Sequence, residues 1–166
     1  ISQIENEQFL KADNVSLSEM LKELYDEISI RLQDKNISYE TEIPADWRLV
    51  HVNKFLLFNL FFNLINNAIK YNKPDGAIIV IATQENNKFT VSITDTGIGI
   101  SEEDLPYIFN RFKKIRQSLQ QDSFGLGLPI VKSIAAFHNI KIVVTSEKGK
   151  GSTFKLVFPP GAVEVS

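Results

Sequence analysis

The chain has 166 residues, 18 basic and 20 acidic, with a net charge of -2 and no cysteine. That length suits one domain of ordinary size, and the near-balanced charge gives no field for nucleic acid or an anionic membrane. The lack of cysteine excludes disulfides and thiolate metal sites and is compatible with a reducing cytosol.

No apolar run approaches a membrane span, and the opening ISQIENEQF lacks the features of a secretion signal. Residues 1–12 set Ile1, Ile4, Phe9 and Leu10 among acids and amides, a weak helical pattern too short to stand alone. They read as a frayed terminus or the last turns of a helix from an upstream segment. Ser16 with Glu19 makes a capping-box signature, and the helix it starts puts Leu17, Met20, Leu21, Leu24, Ile28 and Leu32 on one face. Ile37–Ile43 alternates as a strand that Pro44 stops, and Trp47–Val52 is a second extended piece.

Asn53 can cap the next element, NLINNAIKY at its end, a mostly apolar helix reaching Tyr71 without Gly or Pro. At about 100° per residue, Asn59, Asn63, Asn66, Asn67 and Lys70 fall on one arc of it. Asn is a poor interior helix residue, because its amide competes for backbone hydrogen bonds. Several stacked on an apolar helix predict neutral oxygen ligands and donors facing a polar cleft, with a lysine at the end for a phosphate.

Lys73–Gly76 has turn chemistry, and Ala77–Gln84 and Lys88–Asp95 form two strands joined as a hairpin. Asp95 enters Thr96-Gly97-Ile98-Gly99-Ile100, where a carboxylate can accept from an amine and two glycines let backbone pass close to a flat ligand. Ser101–Asp104 starts a short capped helix reaching Phe109. Residues 110–124 have no sustained period and read as a mobile loop, with Arg111, Lys113, Lys114 and Arg116 placed to close over an anion. Gly125-Leu126-Gly127-Leu128-Pro129 opens another helix, with Pro129 in its first turn and exposed N–H groups that suit phosphate. Asn139 ends that helix in the left-handed conformation, and strands at Lys141–Ser146 and Ser152–Phe158 close the chain. Helices with antiparallel hairpins predict an α+β fold, a two-layer α/β sandwich with a mixed sheet backed by about three helices.

Five ordered motifs then carry a resemblance: NLINNAIKY (Asn63–Tyr71), DTGIGI, IFNRF (Ile108–Phe112), FGLGLPIVK and GKGSTFKLVFP (Gly149–Pro159). Over roughly residues 14–160 the chain resembles the catalytic and ATP-binding domain of two-component sensor histidine kinases, in the gyrase, chaperone and histidine-kinase ATPase superfamily with its Bergerat-type fold. The resemblance implies that residues 13–166 are the catalytic domain and 1–12 the tail of an upstream dimerisation helix or linker. It implies ATP and Mg²⁺ as ligands, with Asn67 on the metal and Asn63, Lys70 and Arg111 acting on the phosphates. Tyr71, Asp95, Gly97, Gly99, Ile100, Lys113, Lys114, Gly125, Leu126, Gly127, Leu128 and Thr153 would contact the nucleotide, Asp95 through the adenine amino group. It implies as partners a dimerisation domain bearing the phosphoacceptor histidine and a response regulator, and a cytoplasmic location in a membrane-anchored parent.

An ATP-hydrolysing clamp of the same superfamily would place a glutamate four residues before the metal-binding Asn. Here that position is Asn63, which is no general base. An anti-sigma-type serine kinase is the other enzymatic alternative. His51 lies in a short strand and His138 near a helix end, where a cation would be favoured; both lack the acidic helical context of the family's phosphoacceptor and read as structural.

Overall fold

The computed structural model describes residues 9–110 and 124–166, with the backbone alone at 124–127. Strand β1 (Asp13–Ser16) leads into α1 (Leu17–Asp34) at Ser16, whose Oγ accepts from the Glu19 N–H at 3.3 Å. Leu17, Met20, Leu21, Leu24, Ile28 and Leu32 of α1 are all buried, as their spacing requires. Strands β2 (Ser38–Glu42) and β3 (Trp47–Val52) follow, then α2 (Lys54–Lys70), β4 (Ala77–Glu85) and β5 (Lys88–Asp95). A 3₁₀ turn (Leu105–Tyr107) precedes α3 (Phe124–Phe137), and β6 (Lys141–Glu147), β7 (Gly151–Val157) and β8 (Val163–Val165) complete the chain.

Five strands form one mixed sheet in the order β2-β4-β5-β7-β6, with β2 parallel to β4 and the other pairs antiparallel. Ile78, Val80, Val91, Ile93, Phe154 and Leu156 join the α2 residues Leu57, Leu60, Phe61, Leu64 and Ile65 in a single buried core. Each such side chain contributes about 1.5–3 kcal/mol of transfer free energy. The expected α+β sandwich is present, with three helices over a mixed sheet. A second, three-stranded sheet, β1-β3-β8, was not expected. DNVS and VEV are too short to display a period of two, so pairing with β3 creates them.

Four expectations change. Residues 9–12 are not helical, and residues 1–8 lie outside the described residues. Ser101 does accept from the Asp104 N–H at 3.3 Å, but only a 3₁₀ turn follows, because Pro106 breaks the helical ladder. Phe124 belongs to α3 rather than to the loop before it. Pro129 therefore sits beyond the first turn, leaving the Gly125 carbonyl without a backbone donor from position 129.

The N-terminus of α2 is capped by three separate groups. Asn53 Oδ1 accepts from Leu56 N–H at 3.0 Å, Asp13 Oδ2 from Lys54 N–H at 2.8 Å, and His138 Nε2 from Asn53 N–H at 3.0 Å. His138 Nδ1 meets the Ile134 carbonyl at 2.9 Å, which fixes the neutral tautomer with its proton on Nδ1. The expectation that His138 would be favoured as a cation at a helix end is corrected, because the end it serves is an N-terminus. Burial holds its pKa below the ordinary 6.5, aided by the Lys11 charge and opposed by the Ile134 bond. His51 is exposed at the irregular pairing of β1 with β3, with φ of 57°.

A depressed histidine pKa gives stability that is present above the ordinary value and lost as pH falls below it. His138→Gln should cost about 1–3 kcal/mol at neutral pH, through an unmet buried N–H. The gap between mutant and wild type should narrow between pH 7 and 5 in chemical denaturation. A gap independent of pH would mean that the imidazole is not held neutral.

Candidate functional site

Asp95 ends β5 opposite Ser152 of β7, and its Oδ1 accepts from the Gly97 N–H at 2.8 Å. Burial raises its pKa to about 6, against the pull of backbone hydrogen bonds from Gly97 and Ser152. The salt bridges found among the described residues do not include it. It is therefore a carboxylate without a cation, in a place where its charge is costly.

The backbone after Asp95 is pressed between two other elements. A Cβ on Gly97 would come within 2.3 Å of the Tyr71 carbonyl at the end of α2. One on Gly99, whose φ is 72°, would lie 2.1 Å from the Glu147 carbonyl of the β6–β7 hairpin. Ile98 N–H donates to Tyr71 O at 3.0 Å, Gly149 N–H to Ile98 O at 2.6 Å, and Ile100 N–H to Ser146 Oγ at 2.7 Å. Asn72 and Thr96 stitch the rest. Asn72 Nδ2 donates to Ala77 O, its Oδ1 accepts from Lys73 N–H and Thr96 Oγ1, and Thr96 Oγ1 accepts from Ala77 N–H.

The result is a narrow recess lined by Asn67, Ala68, Tyr71, Asp95, Ile98, Gly99, Ile100, Ser152 and Phe154. Its free volume of about 20 Å³ is room for about one water, so a flat base needs the lining to open; Ile98, 44% exposed, is the apolar lining residue nearest solvent. Five of these residues were expected: Asn67, Tyr71, Asp95, Gly99 and Ile100. Gly97 lies directly behind them.

Thr153 is a correction. Strand alternation turns its hydroxyl to the far face of the sheet, where it meets Thr94 Oγ1 at 3.0 Å. Its neighbours Ser152 and Phe154 face the recess instead. The asparagine arc also divides. Asn66 Oδ1 accepts from Arg31 Nη1 at 3.0 Å and so faces α1, not the recess. Asn59 and Asn63 turn their Nδ2 groups onto the carbonyls of Phe55 and Asn59 in their own helix. Only Asn67 reaches the recess, and its Nδ2 is buried with no partner among the described residues. Lys70 is exposed in the last turn of α2.

Arg111, Lys113 and Lys114 lie outside the described residues, and Gly125, Leu126 and Gly127 fall in the first turn of α3, whose side chains are not described. Leu128 is fully buried in the core, so a ligand could meet only its backbone. Sequence reasoning missed Ala68, Ile98, Ser152 and Phe154 in the lining, and Lys35, Asn72 and Thr96 behind it. Lys35 reaches from the end of α1 to the carbonyls of Ile69, Lys70 and Asn72, closing the C-terminus of α2. An Asn directly after NLINNAIKY was the one visible signal for the rest.

Among the described residues no group of three or more His, Cys, Asp or Glu side chains could hold a metal ion. A cation here would have neutral amide oxygens, ligand oxygens and water. That donor set fits Mg²⁺, which keeps several waters and takes few protein ligands; Asn67 would serve it through its amide oxygen Oδ1, while its buried Nδ2 is a donor left for an acceptor on a ligand.

Residues 53–162 match the family described as histidine kinase-, DNA gyrase B-, and HSP90-like ATPase. Among curated proteins, the adaptive-response sensory kinase SasA of Synechococcus sp. (strain JA-2-3B'a(2-13)) is 32% identical over 151 residues, 90% of this chain and 40% of that protein. The heme sensor protein HssS of Staphylococcus saprophyticus is 36% identical over 161 residues, 95% of this chain and 34% of that protein. The chain thus spans less than half of either relative. Among solved structures, a nucleotide-free catalytic domain of histidine kinase ThkA superposes with a TM-score of 0.76 at 26% identity, over 89% of this chain and 95% of that one.

A carboxyl group with a raised pKa contributes stability that is full below about pH 4 and lost as pH rises through about 6. In the ligand-free chain, Asp95→Asn should therefore be relatively more stabilising at pH 8 than at pH 4.5, by on the order of 1–3 kcal/mol. Denaturation curves at both pH values test this, and equal effects would show that Asp95 ionises at no cost.

Proposed function

The chain belongs to the family of histidine kinase-, DNA gyrase B-, and HSP90-like ATPases, and from that premise we propose that it is the ATP-binding catalytic unit of a protein histidine kinase. In this reading residues 13–166 bind ATP and present its γ-phosphoryl group to a histidine on a dimerisation domain outside these residues. The residues before Asp13 join the two. The supporting observation is that a buried, cation-free carboxylate and an unpartnered buried amide share one recess, Asp95 and Asn67.

Asp95 accepts from the exocyclic amine of adenine, which adds a donor to the backbone N–H groups that already meet its buried charge. Ala68, Ile98, Ile100 and Phe154 give the ring apolar walls. Mg²⁺, held at Asn67 with phosphate oxygens and water, would neutralise triphosphate charge. Asn63, Lys70 and the basic residues Arg111, Lys113 and Lys114 orient the phosphates, with the backbone at Gly125–Leu128 offering N–H donors at a helix start. Phosphoryl transfer is mostly positioning and charge stabilisation, so the acceptor histidine brings the nucleophile and this chain holds the phosphate in line.

The clamp alternative needs a base to activate water. Asn63 has none to offer, and its amide is engaged with Asn59 O at 2.7 Å. The names of the relatives, sensory and sensor proteins, favour the kinase reading. A response regulator as the downstream partner and a cytoplasmic position in a membrane-anchored parent complete the proposal. Among the described residues no helix is long and apolar enough to cross a membrane.

Calorimetry with ADP and ATP should show Asp95→Asn weakening both by about 1–3 kcal/mol, and EDTA weakening ATP binding to the wild type. Unchanged ADP affinity in the mutant would remove Asp95 from the adenine contact; unchanged ATP affinity in EDTA would remove Asn67 from the metal. With γ-labelled ATP the chain alone should neither label itself nor hydrolyse more than a trace. Adding the acceptor-helix domain of the longer protein should label that domain's histidine. Rapid hydrolysis by the chain alone would favour the clamp.

A further inference from the structure

A groove of about 710 Å³ runs between α1 and β2 and shares no lining residue with the nucleotide recess. Leu21 and Tyr25 form one wall and Tyr39, Thr41 and Ile43 the other, with the Tyr25 and Tyr39 rings 5.7 Å apart. The strand side of this groove is an open sheet edge among the described residues, where β2 is the outer strand and pairs only with β4.

Backbone direction follows from one hydrogen bond. Ser38 N–H donates to Gly76 O at the start of β4, so strand alternation points the backbone groups of Ser38, Glu40 and Glu42 at β4. The N–H and C=O groups of Tyr39 and Thr41 then face outward along the groove. A helix beside an open edge with outward donors and acceptors is the geometry that accepts an added strand.

Charge selects the kind of strand. Residues 17–46 hold eight acids and three bases, whereas the rest of the chain holds twelve acids and fifteen bases. Glu19, Glu23 and Asp26 outnumber Lys22 on the helix wall, and Glu40 and Glu42 are exposed on the far face of β2. A second copy of this edge would set like charges opposite each other, which is unfavourable.

We propose that the α1–β2 groove is a docking site for an extended segment of a partner protein in which basic and apolar residues alternate. The segment adds to β2 through Tyr39 and Thr41, puts its apolar side chains between Tyr25, Tyr39 and Ile43, and turns its basic ones toward Glu40 and Glu42. This reading is independent of the nucleotide site.

The test uses three end-capped hexapeptides: one alternating Lys and Val, one alternating Glu and Val, and the first with alternate backbone nitrogens methylated. Titrated into the labelled chain, the Lys–Val peptide should shift amide resonances of residues 18–26 and 38–45. Its affinity should fall several-fold between 50 and 300 mM salt, and the other two peptides should bind at least tenfold more weakly. Thr41→Pro removes an outward N–H without touching the β4 ladder. It should weaken the Lys–Val peptide at least tenfold while melting temperature and ADP affinity stay as in wild type. Glu40→Gln with Glu42→Gln tests the charge independently and should remove most of the salt dependence. The proposal is overturned by shifts that map elsewhere, by equal binding of the Glu–Val peptide, by no binding at millimolar peptide, or by self-association that covers β2 instead.

Discussion

Tyr71 O accepts the Ile98 N–H at 3.0 Å at the point where Gly97 lies flat against the end of α2, and Asn72 and Thr96 fasten the same junction from below. This seam joins the helix that carries Asn67 to the turn that follows Asp95. Without it the amide and the carboxylate would sit on elements free to shift by an ångström or more, enough to spoil a hydrogen-bonded ligand contact. The glycine is required because no side chain fits the 2.3 Å left above the Tyr71 carbonyl. The seam also explains why the peptide groups at the end of α2 are satisfied from outside the helix: Lys35 covers three carbonyls that would otherwise face a crowded corner.

The same helix shows how a polar stripe is accommodated in a hydrophobic core. Its five polar positions span about 100° of arc, too wide for one cleft, and the two extremes go to opposite sides. Asn66 meets Arg31 of α1, while Asn67 enters the recess. Between them, Asn59 and Asn63 satisfy themselves on their own backbone. A single buried donor therefore carries the unmet cost of the stripe, and it lies beside a carboxylate that also ionises at a cost. An unmet donor and a carboxylate that ionises at a cost, lining one recess, are what a preorganised ligand site looks like before its ligand arrives.

Much of this was legible in the sequence where the signal was local and periodic. The α1 face, the Ser16 and Asn53 caps, the β4–β5 hairpin and the left-handed Asn139 all follow from nearest-neighbour chemistry. What escaped was long-range. β1 and β8 exist only because β3 lies between them, and Thr153 faced the wrong way until its register with Thr94 was known. His138 was read against the helix it terminates in sequence, yet its partner is the start of a different helix, 85 positions away. One-dimensional reasoning has no access to such pairs, because the sign of the dipole that a side chain meets depends on which helix end folds against it.

That long-range capping has a mechanical consequence for the site. Asn53 and Asp13 hold the first turn of α2, His138 holds the same turn from the far side of α3, and Lys11 bonds to Phe137 O at 3.2 Å while sitting over its ring. The segment entering the domain, the start of the Asn-bearing helix and the end of the helix begun by the glycine pair are thus tied into one knot. The recess sits at the opposite end of α2, about 17 residues on, or roughly 25 Å along a helix at 1.5 Å per residue. A packed helix of that length does not compress, so displacement of the entering segment at residues 9–13 can reach the recess only as rotation or translation of the whole rod. The seam at Tyr71 and Gly97 is where such a motion would be felt, because it leaves no slack for a side chain.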